Sequence, residues 1–342
     1  MGESGTIDAL GEFGLIARYF APLAGAPDDR VALGQGDDAA VFTIPRTQQL
    51  VVTTDTLAEG THFLGTTAAD LVGRKALLVN LSDLAAMGAE PAWMLLNLSL
   101  PEGTPLAWLA GFAAGLREEA ERHGVRLVGG DTVRGQGGVQ VTVTLMGLVG
   151  LDRALRRSGA QSGDLIVVSG TLGDAALGLA LRQGRTGGVG AAAAAWLEQR
   201  LDLPQPRLAL GRGLLEGVVG RGVIDLSDGL LSDLGHVCRA SGLAARVRLE
   251  DIPLSAPARE WMVRQANPWP LLLGGGEDYE LLFCVPPAGL SQVQDLGLAQ
   301  GVAVTVIGEM VSGTPGVVAS HNGQELDLSA AGWKHFPAPA AS

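Results

Sequence analysis

The chain has 342 residues, of which 47% are hydrophobic and 18% charged, and its formal net charge at pH 7 is −12. This length predicts about two domains, and the apolar fraction excludes a chain that stays disordered. The negative charge argues against nucleic acid as a partner, because such proteins need basic side chains against the phosphates. An acidic protein that binds phosphate compounds needs cations between the two, and divalent metal ions are the obvious candidates.

Hydrophobic periodicity and turn residues predict mixed helices and strands along the first half of the chain. The first element is an amphipathic helix over residues 5–20, whose apolar face consists of Leu10, Phe13, Ile16, Ala17 and Phe20. The elements predicted next are a strand at 50–54 that ends at Asp55, a helix at 68–88, a strand at 92–100, a helix at 104–123 that Gly124 closes, and strands at 125–128 and 139–149.

A polar, turn-prone stretch from Arg153 to Gly163 predicts a domain boundary at about 150–160, and thus domains at 1–150 and 151–342. The second half begins with a predicted strand at 164–169, a helix at 173–183 and a loose Gly/Ala stretch at 184–194. The later predictions are strands at 222–226, 246–250, 281–285 and 302–308, and helices at 207–219, 228–241 and 256–266. Strands and helices mixed in both halves indicate an α/β or α+β fold for each domain.

Aspartates recur beside glycines and at the ends of predicted strands. They are Asp38 in a Gly-Asp-Asp turn, Asp55 after Thr53-Thr54, Asp131 after Gly129-Gly130, and Asp225 and Asp228 in Asp-Leu-Ser-Asp-Gly; Asp83 instead lies inside a Leu/Ala-rich helix. Strand ends of this kind are where α/β proteins place ligand-binding groups. Converging carboxylates repel one another unless cations lie between them, and Mg²⁺ favours one or two carboxylates plus substrate phosphates. The pattern therefore predicts metal-dependent phosphate chemistry.

Each motif alone has a plainer interpretation. Gly-Asp-Asp, Thr-Thr-Asp and Gly-Gly-Asp are all common in turns. Asp225, Ser227 or Asp228 could cap the helix that follows. Asp83 is harder to explain in this way, because an aspartate in an apolar helix is unfavourable without a partner. Five such placements in one acidic chain favour the metal interpretation.

The sequence lacks the motifs that are typical of several other classes of protein. The two lysines, Lys75 and Lys334, lie in no P-loop, and no protein-kinase motif or nucleophile elbow occurs. The two cysteines, Cys238 and Cys284, have no zinc spacing and are expected to be buried and reduced. No secretory signal or membrane-spanning run is visible, which predicts a soluble cytoplasmic protein with no membrane partner.

With these motifs in order, the chain resembles the thiamine-monophosphate kinase family of the aminoimidazole-ribonucleotide-synthetase-like superfamily. The matching blocks run from Gly11-Glu-Phe-Gly-Leu-Ile-Ala-Arg to Trp333-Lys-His-Phe, and they include Gly34-Gln-Gly-Asp-Asp-Ala, Thr53-Thr-Asp-Thr-Leu, Glu59-Gly-Thr-His-Phe, Asn80-Leu-Ser-Asp-Leu-Ala-Ala-Met, Gly129-Gly-Asp-Thr, Arg157-Ser-Gly-Ala, Ile224-Asp-Leu-Ser-Asp-Gly-Leu and Gly275-Gly-Glu-Asp-Tyr-Glu-Leu. Any one glycine motif would be weak evidence, but the ordered series is specific.

The resemblance implies an N-terminal domain that forms a shared β-barrel across a homodimer, and a C-terminal α/β domain that completes the substrate cleft. It implies several Mg²⁺ ions, ATP as co-substrate and thiamine monophosphate as acceptor, with direct in-line transfer to give thiamine diphosphate. The implied metal ligands are Asp38, Thr53, Thr54, Asp55, Asp83, Asp131, Asp225 and Asp228. The implied ATP contacts are Gly130, Asp131, Arg157 and Ser227, and the implied thiamine phosphate contacts are His62, Glu277 and Trp333.

Two alternatives stay open on the sequence. A relative that uses ATP to activate an amide or carbamoyl oxygen would resemble this chain, although the relatives that depend on a cysteine near either terminus have no counterpart here. A regulatory module that binds nucleotide or metal without turnover would also carry these motifs. Arg157 could equally be a surface residue and Trp333 a core residue.

Overall fold

A computed structural model of the protein describes residues 5–217, 219–326 and 328. The chain divides into two compact units. The first contains the described residues up to Leu84 together with Ala89–Ala154, and the second contains Ala85–Gly88 and the described residues from Leu155 onward. Each unit mixes strands and helices, in agreement with the predicted α/β class.

The first unit is built on a four-stranded sheet of its described residues, in the order β3-β6-β4-β5. Strands β4 and β5 run parallel, and the other neighbours are antiparallel. The elements in chain order are α1 (Gly11–Leu15), β1 (Val31–Leu33), β2 (Val41–Phe42), β3 (Gln48–Ala58), α2 (Ala69–Ala86), β4 (Glu90–Pro101), α3 (Leu106–His123), β5 (Arg126–Gly135) and β6 (Gln140–Gly150).

Two glycines set how closely α2 and α3 approach. A Cβ at Gly73 would overlap the carbonyl oxygen of Phe112, and a Cβ at Gly115 would overlap that of Asp70. Because neither position carries a Cβ atom, the backbones of the two helices come into direct contact. Helix α2 is buried along most of its length, including the polar residues Lys75, Asn80 and Ser82.

A partly buried ionic contact holds the segment before β1 in place. The Asp28 carboxylate accepts hydrogen bonds from Arg30 Nε and Nη2, each at 3.0 Å, and from Trp93 Nε1 at 3.1 Å. The side-chain hydrogen bonds from Arg30 lower the pKa of Asp28 to about 2, against the opposing effect of burial. Trp93 is fully buried, and its ring lies 4.8 Å from that of Phe42 on β2. The β1–β2 hairpin is therefore fixed against β4.

The described part of the second unit contains a seven-stranded sheet in the order β13-β12-β9-β11-β7-β10-β8. Neighbouring strands are antiparallel except β9 and β12. The elements are β7 (Leu165–Ser169), α4 (Asp174–Arg182), α5 (Ala191–Asp202), α6 (Leu208–Glu216), β8 (Arg221–Asp225), α7 (Leu230–Ser241), β9 (Ala244–Arg248), α8 (Ala256–Met262), α9 (Trp269–Gly274), β10 (Leu281–Val285), α10 (Leu290–Ala299), β11 (Val304–Val311), β12 (Gly316–His321) and β13 (Gln324–Leu326).

Helices cover both faces of this sheet. Ile166, Val168 and Leu282 pack with residues of α4, α7, α8 and α9, whereas Val167 and Phe283 on the same strands pack with residues of α6 and α10. A strand buried on both faces reads as a continuous apolar run, and Leu281–Val285 is such a run. Cys238 and Cys284 are free and buried, as the sequence predicts.

Most long predicted elements are confirmed, but three details are wrong. The segment 5–20 is not one amphipathic helix, because α1 gives way to a π-helical turn at Ile16–Phe20, and Phe13 is 82% exposed. The 3.6-residue repeat does not hold across such a change of helix type. Asp55 lies inside β3 and Asp131 inside β5, not at strand ends, since both strands continue their pairing beyond these residues. The helices and strands at 269–274, 290–299, 316–321 and 324–326 were not predicted.

No helix in the described ranges is long and apolar enough to cross a membrane.

A fully buried carboxylate joins three parts of the second unit. Glu280 accepts hydrogen bonds from Arg207 Nε at 2.6 Å and Nη2 at 2.5 Å, from Arg200 Nη2 at 3.0 Å, and from Ser169 Oγ at 2.6 Å. Both arginine side chains are largely buried themselves. Removing one member of such a group leaves uncompensated charge in the interior.

We expect Glu280→Gln to destabilise the protein by about 3 to 5 kcal/mol, because two buried guanidinium groups would lose their counter-ion. The melting temperature should fall by about 10 °C for a unit of this size. Glu309→Gln changes an exposed glutamate of the same sheet and should leave the melting temperature nearly unchanged. Equal melting temperatures for Glu280→Gln and the wild type would contradict this role of the ion group.

Candidate active site

A cavity of about 860 Å³ lies in the first unit, where the 34–40 turn faces β4 and β5. Three of the predicted site residues line it together: Asp38, Gly130 and Asp131. Its apolar lining includes Phe13, Ile16, Phe20, Phe42, Leu95, Val128 and Met146. A concave surface with apolar walls and a few polar groups is the usual form of a small-molecule site.

The 34–40 turn presents Asp38 at the rim of this cavity. Gly36 has a positive φ of 100°, which glycine adopts without strain. The Asp37 carboxylate accepts the backbone N–H of Asp38 at 2.9 Å, and Gln35 Nε2 donates to the carbonyl oxygens of Phe20 (3.3 Å) and Leu127 (3.0 Å). These bonds fix the turn against β5, while the Asp38 side chain stays exposed.

Gly130 is required by the close pairing of β5 with β4. A Cβ at this position would overlap the carbonyl oxygen of Leu96, so only glycine fits. The pairing places Asp131 beside Asn97, and both side chains are exposed and line the cavity. Asn97 and Gln35 were missed by the sequence reasoning. A lone asparagine in the apolar strand from Ala92 to Leu100 was the available signal.

The predicted ligands on β3 point to opposite faces of the sheet. Thr53 Oγ1 donates to Asp83 Oδ2 of α2 at 2.5 Å, and Asp55 shares that face because strand residues alternate. Thr54 lies on the other face, where its hydroxyl meets Thr144 Oγ1 at 3.0 Å. Thr144 pairs with Leu95, which lines the cavity, so Thr54 shares the cavity's side of the sheet.

His62 follows β3 in a loop that two contacts fix. Its Nδ1 accepts the backbone N–H of Ala58 at 3.1 Å, and the buried Lys75 donates from Nζ to the His62 carbonyl oxygen at 3.0 Å. Because Nδ1 is an acceptor, the neutral ring carries its proton on Nε2.

The second unit places Asp225, Ser227 and Asp228 in a turn between β8 and α7. Asp225 is the last residue of β8, one residue before the predicted end of the strand at 226, and Gly229, with a positive φ of 104°, is the N-cap residue of α7. The buried Asp233 accepts the backbone N–H groups of Ser227 and Asp228. Burial, together with the nearby charge of Asp228, raises the pKa of Asp233 to about 7.

Glu277 lies in a strained turn next to Ser227. Glu277 and Tyr279 have positive φ values of 67° and 49°, which are costly for residues other than glycine. The backbone N–H of Glu277 donates to Ser227 O, and that of Tyr279 donates to Leu226 O, both at 2.8 Å. Asp278 between them is buried, accepts the backbone N–H of Gly173, and has a pKa well above its usual range because of burial.

Arg157 is exposed, and its positive charge reaches the surroundings of Asp233 and His236, where it opposes the rise in the pKa of Asp233. Trp333 lies outside the described residues. Across the described ranges, no three His, Cys, Asp or Glu side chains form a group that could hold a metal ion. The predicted donors are all oxygen atoms, which suits a hard cation such as Mg²⁺ and no soft metal.

Comparison with known proteins places the chain among described families. The model of "AIR synthase related protein, N-terminal domain" matches residues 36–149, and that of the corresponding C-terminal domain matches residues 161–320. A thiamine-monophosphate kinase of Escherichia coli (strain K12) is 44% identical over 333 residues, which cover 97% of this chain and all of the relative.

Two solved structures share the fold over most of the chain. The crystal structure of thiamine-monophosphate kinase from Stenotrophomonas maltophilia K279a is 42% identical, with a TM-score of 0.80 over 93% of this chain and 98% of that one. The structure described as AaThiL complexed with AMPPCP and TMP is 32% identical, with a TM-score of 0.74 over 96% of this chain and 98% of that one. The chain belongs to the thiamine-monophosphate kinase family.

Proposed function

We propose that this protein transfers the γ-phosphate of ATP to thiamine monophosphate, with Mg²⁺, giving thiamine diphosphate and ADP. The observation that carries the proposal is the cavity in which Asp38, Gly130 and Asp131 meet, in a chain that is 44% identical to a thiamine-monophosphate kinase. A related structure, of which this chain covers 98%, is described as complexed with AMPPCP and TMP.

We assign ATP binding to Gly130, Asp131, Arg157 and Ser227. Gly130 lines the cavity next to Asp131. Arg157 is exposed, so its guanidinium donors are accessible to a phosphate. Phosphoryl transfer needs alignment and neutralisation of charge more than covalent chemistry from the protein. These residues would orient the nucleotide for direct in-line transfer, without a phosphoenzyme.

We assign metal binding to the oxygen donors that the resemblance identifies. They are Asp38, Thr53, Thr54, Asp55, Asp83, Asp131, Asp225 and Asp228. When bound, Mg²⁺ supplies positive charge at the phosphates, where this chain has no P-loop lysine. The exposed carboxylates of Asp38 and Asp131 line the cavity, and Thr54 shares that side of the sheet. Asp83 and its partner Thr53 lie on the other side of β3.

No residue is assigned as a general base, because the phosphate group of the acceptor needs none. A phosphate monoester is already ionised at neutral pH, so its oxygen can attack without losing a proton to the protein. We assign thiamine phosphate binding to His62, Glu277 and Trp333. The Glu277 carboxylate suits a cationic thiazolium, the His62 Nε2–H can donate a hydrogen bond, and an indole such as Trp333 can stack on a cationic ring.

We also propose that the protein is a cytoplasmic homodimer whose first units share a β-barrel. The face of the β3-β6-β4-β5 sheet that carries Thr54 is open at β3 and β5, where Val52 is 55% and Val133 50% exposed. Apolar residues on an open sheet face favour burial against a second copy. Two free, buried cysteines and ATP as co-substrate agree with a reducing cytoplasm.

The first prediction concerns the reaction. Purified protein with ATP, Mg²⁺ and thiamine monophosphate should form ADP and thiamine diphosphate in equal amounts, measured by chromatography and mass. Removal of Mg²⁺ with EDTA should abolish both products, and added Mg²⁺ should restore them. ATP that stays intact with this acceptor would contradict the proposal and favour an amide-activating relative or a binding module.

The second prediction concerns the carboxylate at the cavity. Asp131→Asn should lower kcat/KM by at least about 100-fold, because it removes a charge assigned to the metal. The melting temperature should hardly change, since Asp131 is exposed. Asp29→Asn replaces another exposed aspartate of the same unit, away from the cavity, and is the matched control. A wild-type rate for Asp131→Asn at saturating Mg²⁺ would exclude this role, and Asp55→Asn applies the same test to Asp55.

The third prediction concerns assembly. Light scattering should give twice the mass of the chain, and Val52→Glu should give the single mass, because a buried carboxylate opposes association. Val263→Glu introduces the same charge at a residue that is 78% exposed in the second unit and should leave the dimer intact. A wild-type protein with the mass of one chain would refute the dimer.

A further inference from the structure

Asp233 is a buried carboxylate to which neither the sequence nor the resemblance assigned a role. It lies in the first turn of α7 and is 3% exposed. Its Oδ2 atom accepts two backbone hydrogen bonds, from Ser227 at 3.1 Å and from Asp228 at 3.0 Å. The carboxylate therefore binds back to the turn that precedes its own helix.

This arrangement is more than a helix cap. A side chain in the first turn commonly reaches the N–H of the capping residue, which here is Gly229. Asp233 instead bonds the two residues before Gly229, which are the ones assigned to ATP and the metal. Both bonds have ordinary N–H···O lengths, and both end on the same oxygen atom, so one side chain fixes two successive peptide groups. An apolar side chain would be cheaper to bury, but it would leave two N–H groups without an acceptor.

The opposite edge of the same turn is held by the Glu277 turn. Ser227 O accepts the backbone N–H of Glu277, and Leu226 O accepts that of Tyr279. A Cβ at Gly276 would overlap Ser227 O, so the two backbones approach as closely as glycine allows. The peptide groups of the 226–228 segment are thus fixed on the N–H side by Asp233 and on the carbonyl side by the Glu277 turn.

We propose that Asp233 is a positioning residue for phosphoryl transfer, which fixes the Ser227 hydroxyl and the Asp228 carboxylate by accepting both of their backbone N–H groups. The proposal rests on the proposed function, because that function gives Ser227 and Asp228 their ligands. Misplacement of such groups by about 1 Å can lower a rate by on the order of 100-fold.

The test compares two substitutions at Asp233 with a matched control. Asp233→Asn keeps an acceptor oxygen of nearly the same position but loses the charge, and Asp233→Leu keeps the size but removes the acceptor. Asp202→Asn removes a buried carboxylate of the same unit whose partner is Arg182. For each variant we would measure the melting temperature, kcat, the KM for ATP and for thiamine monophosphate, and the Kd for AMPPCP with Mg²⁺ by calorimetry.

We expect kcat/KM for ATP to fall by about 10-fold in Asp233→Asn and by at least about 100-fold in Asp233→Leu, with a parallel weakening of AMPPCP binding. The KM for thiamine monophosphate should change less. Glu277, which is assigned to that substrate, bonds to the carbonyl oxygen of Ser227 and not to the N–H groups that Asp233 accepts. Asp202→Asn should lower the melting temperature and leave kcat/KM within threefold of wild type.

Wild-type kcat/KM and AMPPCP affinity in folded Asp233→Leu would overturn the proposal. If Asp233→Leu does not fold, the smaller Asp233→Ala, which also removes the acceptor, takes its place, and wild-type kcat/KM and AMPPCP affinity in that variant would overturn the proposal in the same way. A loss of activity in Asp233→Asn that Asp202→Asn matches would reduce Asp233 to a structural residue and also overturn it. Wild-type protein without thiamine-phosphate kinase activity would refute the proposed function, while the AMPPCP affinities would still test Asp233.

Discussion

Repulsion between carboxylates is the constraint on which the arrangement of this protein depends. The chain has a net charge of −12 and places several acidic groups near one another, such as Asp233 with Asp228 and Asp278 with Glu280. The structure compensates them in different ways according to burial. Glu280 has two arginines, and Asp233 and Asp278 have backbone N–H donors. Asp38 and Asp131, in contrast, are exposed at the wall of a cavity.

This division separates carboxylates that build the fold from carboxylates that a ligand can use. A buried acid with its own donors is committed to the protein, because exchanging those donors for a ligand would leave them unpaired. An exposed acid keeps its lone pairs available to a cation. The turn at residues 276–280 contains three acidic residues and illustrates both cases. Asp278 and Glu280 are buried and hydrogen-bonded, whereas Glu277 is only half-buried. The buried pair thereby supports a strained turn that presents Glu277.

The parts of the fold that the sequence predicted best are those with a clear apolar repeat. Helices α2 and α3 and the strand Leu281–Val285 follow from period and length alone. The prediction ended β3 at Asp55 because a polar residue resembles a strand end, but β6 supplies pairing partners as far as Ala58. The opposite directions of Thr53 and Thr54 follow from strand alternation once β3 is known to run through them.

The contacts of Glu280 and Asn97 were beyond sequence reasoning because a distant segment brings their partners near, and no local spacing encodes that. Asp233 bonds only five and six residues back along the chain, but the turn that brings it there follows no apolar repeat. Glu280 meets Arg200 and Arg207 across more than 70 residues of chain. The metal and substrate assignments rest on the family resemblance, and the structure adds that Asp38, Gly130 and Asp131 line one cavity.

The cysteines help to separate the proposed reaction from those of other ATP-using relatives. A reaction that moves sulfur, selenium or a carbamoyl group through a cysteine needs an accessible thiolate. Cys238 and Cys284 are fully buried, and burial raises the pKa of both thiols. Neither is suited to act as a nucleophile at neutral pH. A phosphate acceptor needs no such group, because it brings its own ionised oxygen. The residues that we assign to ATP would therefore serve direct transfer in this chain, and the residues that we assign to thiamine phosphate would determine the choice of acceptor.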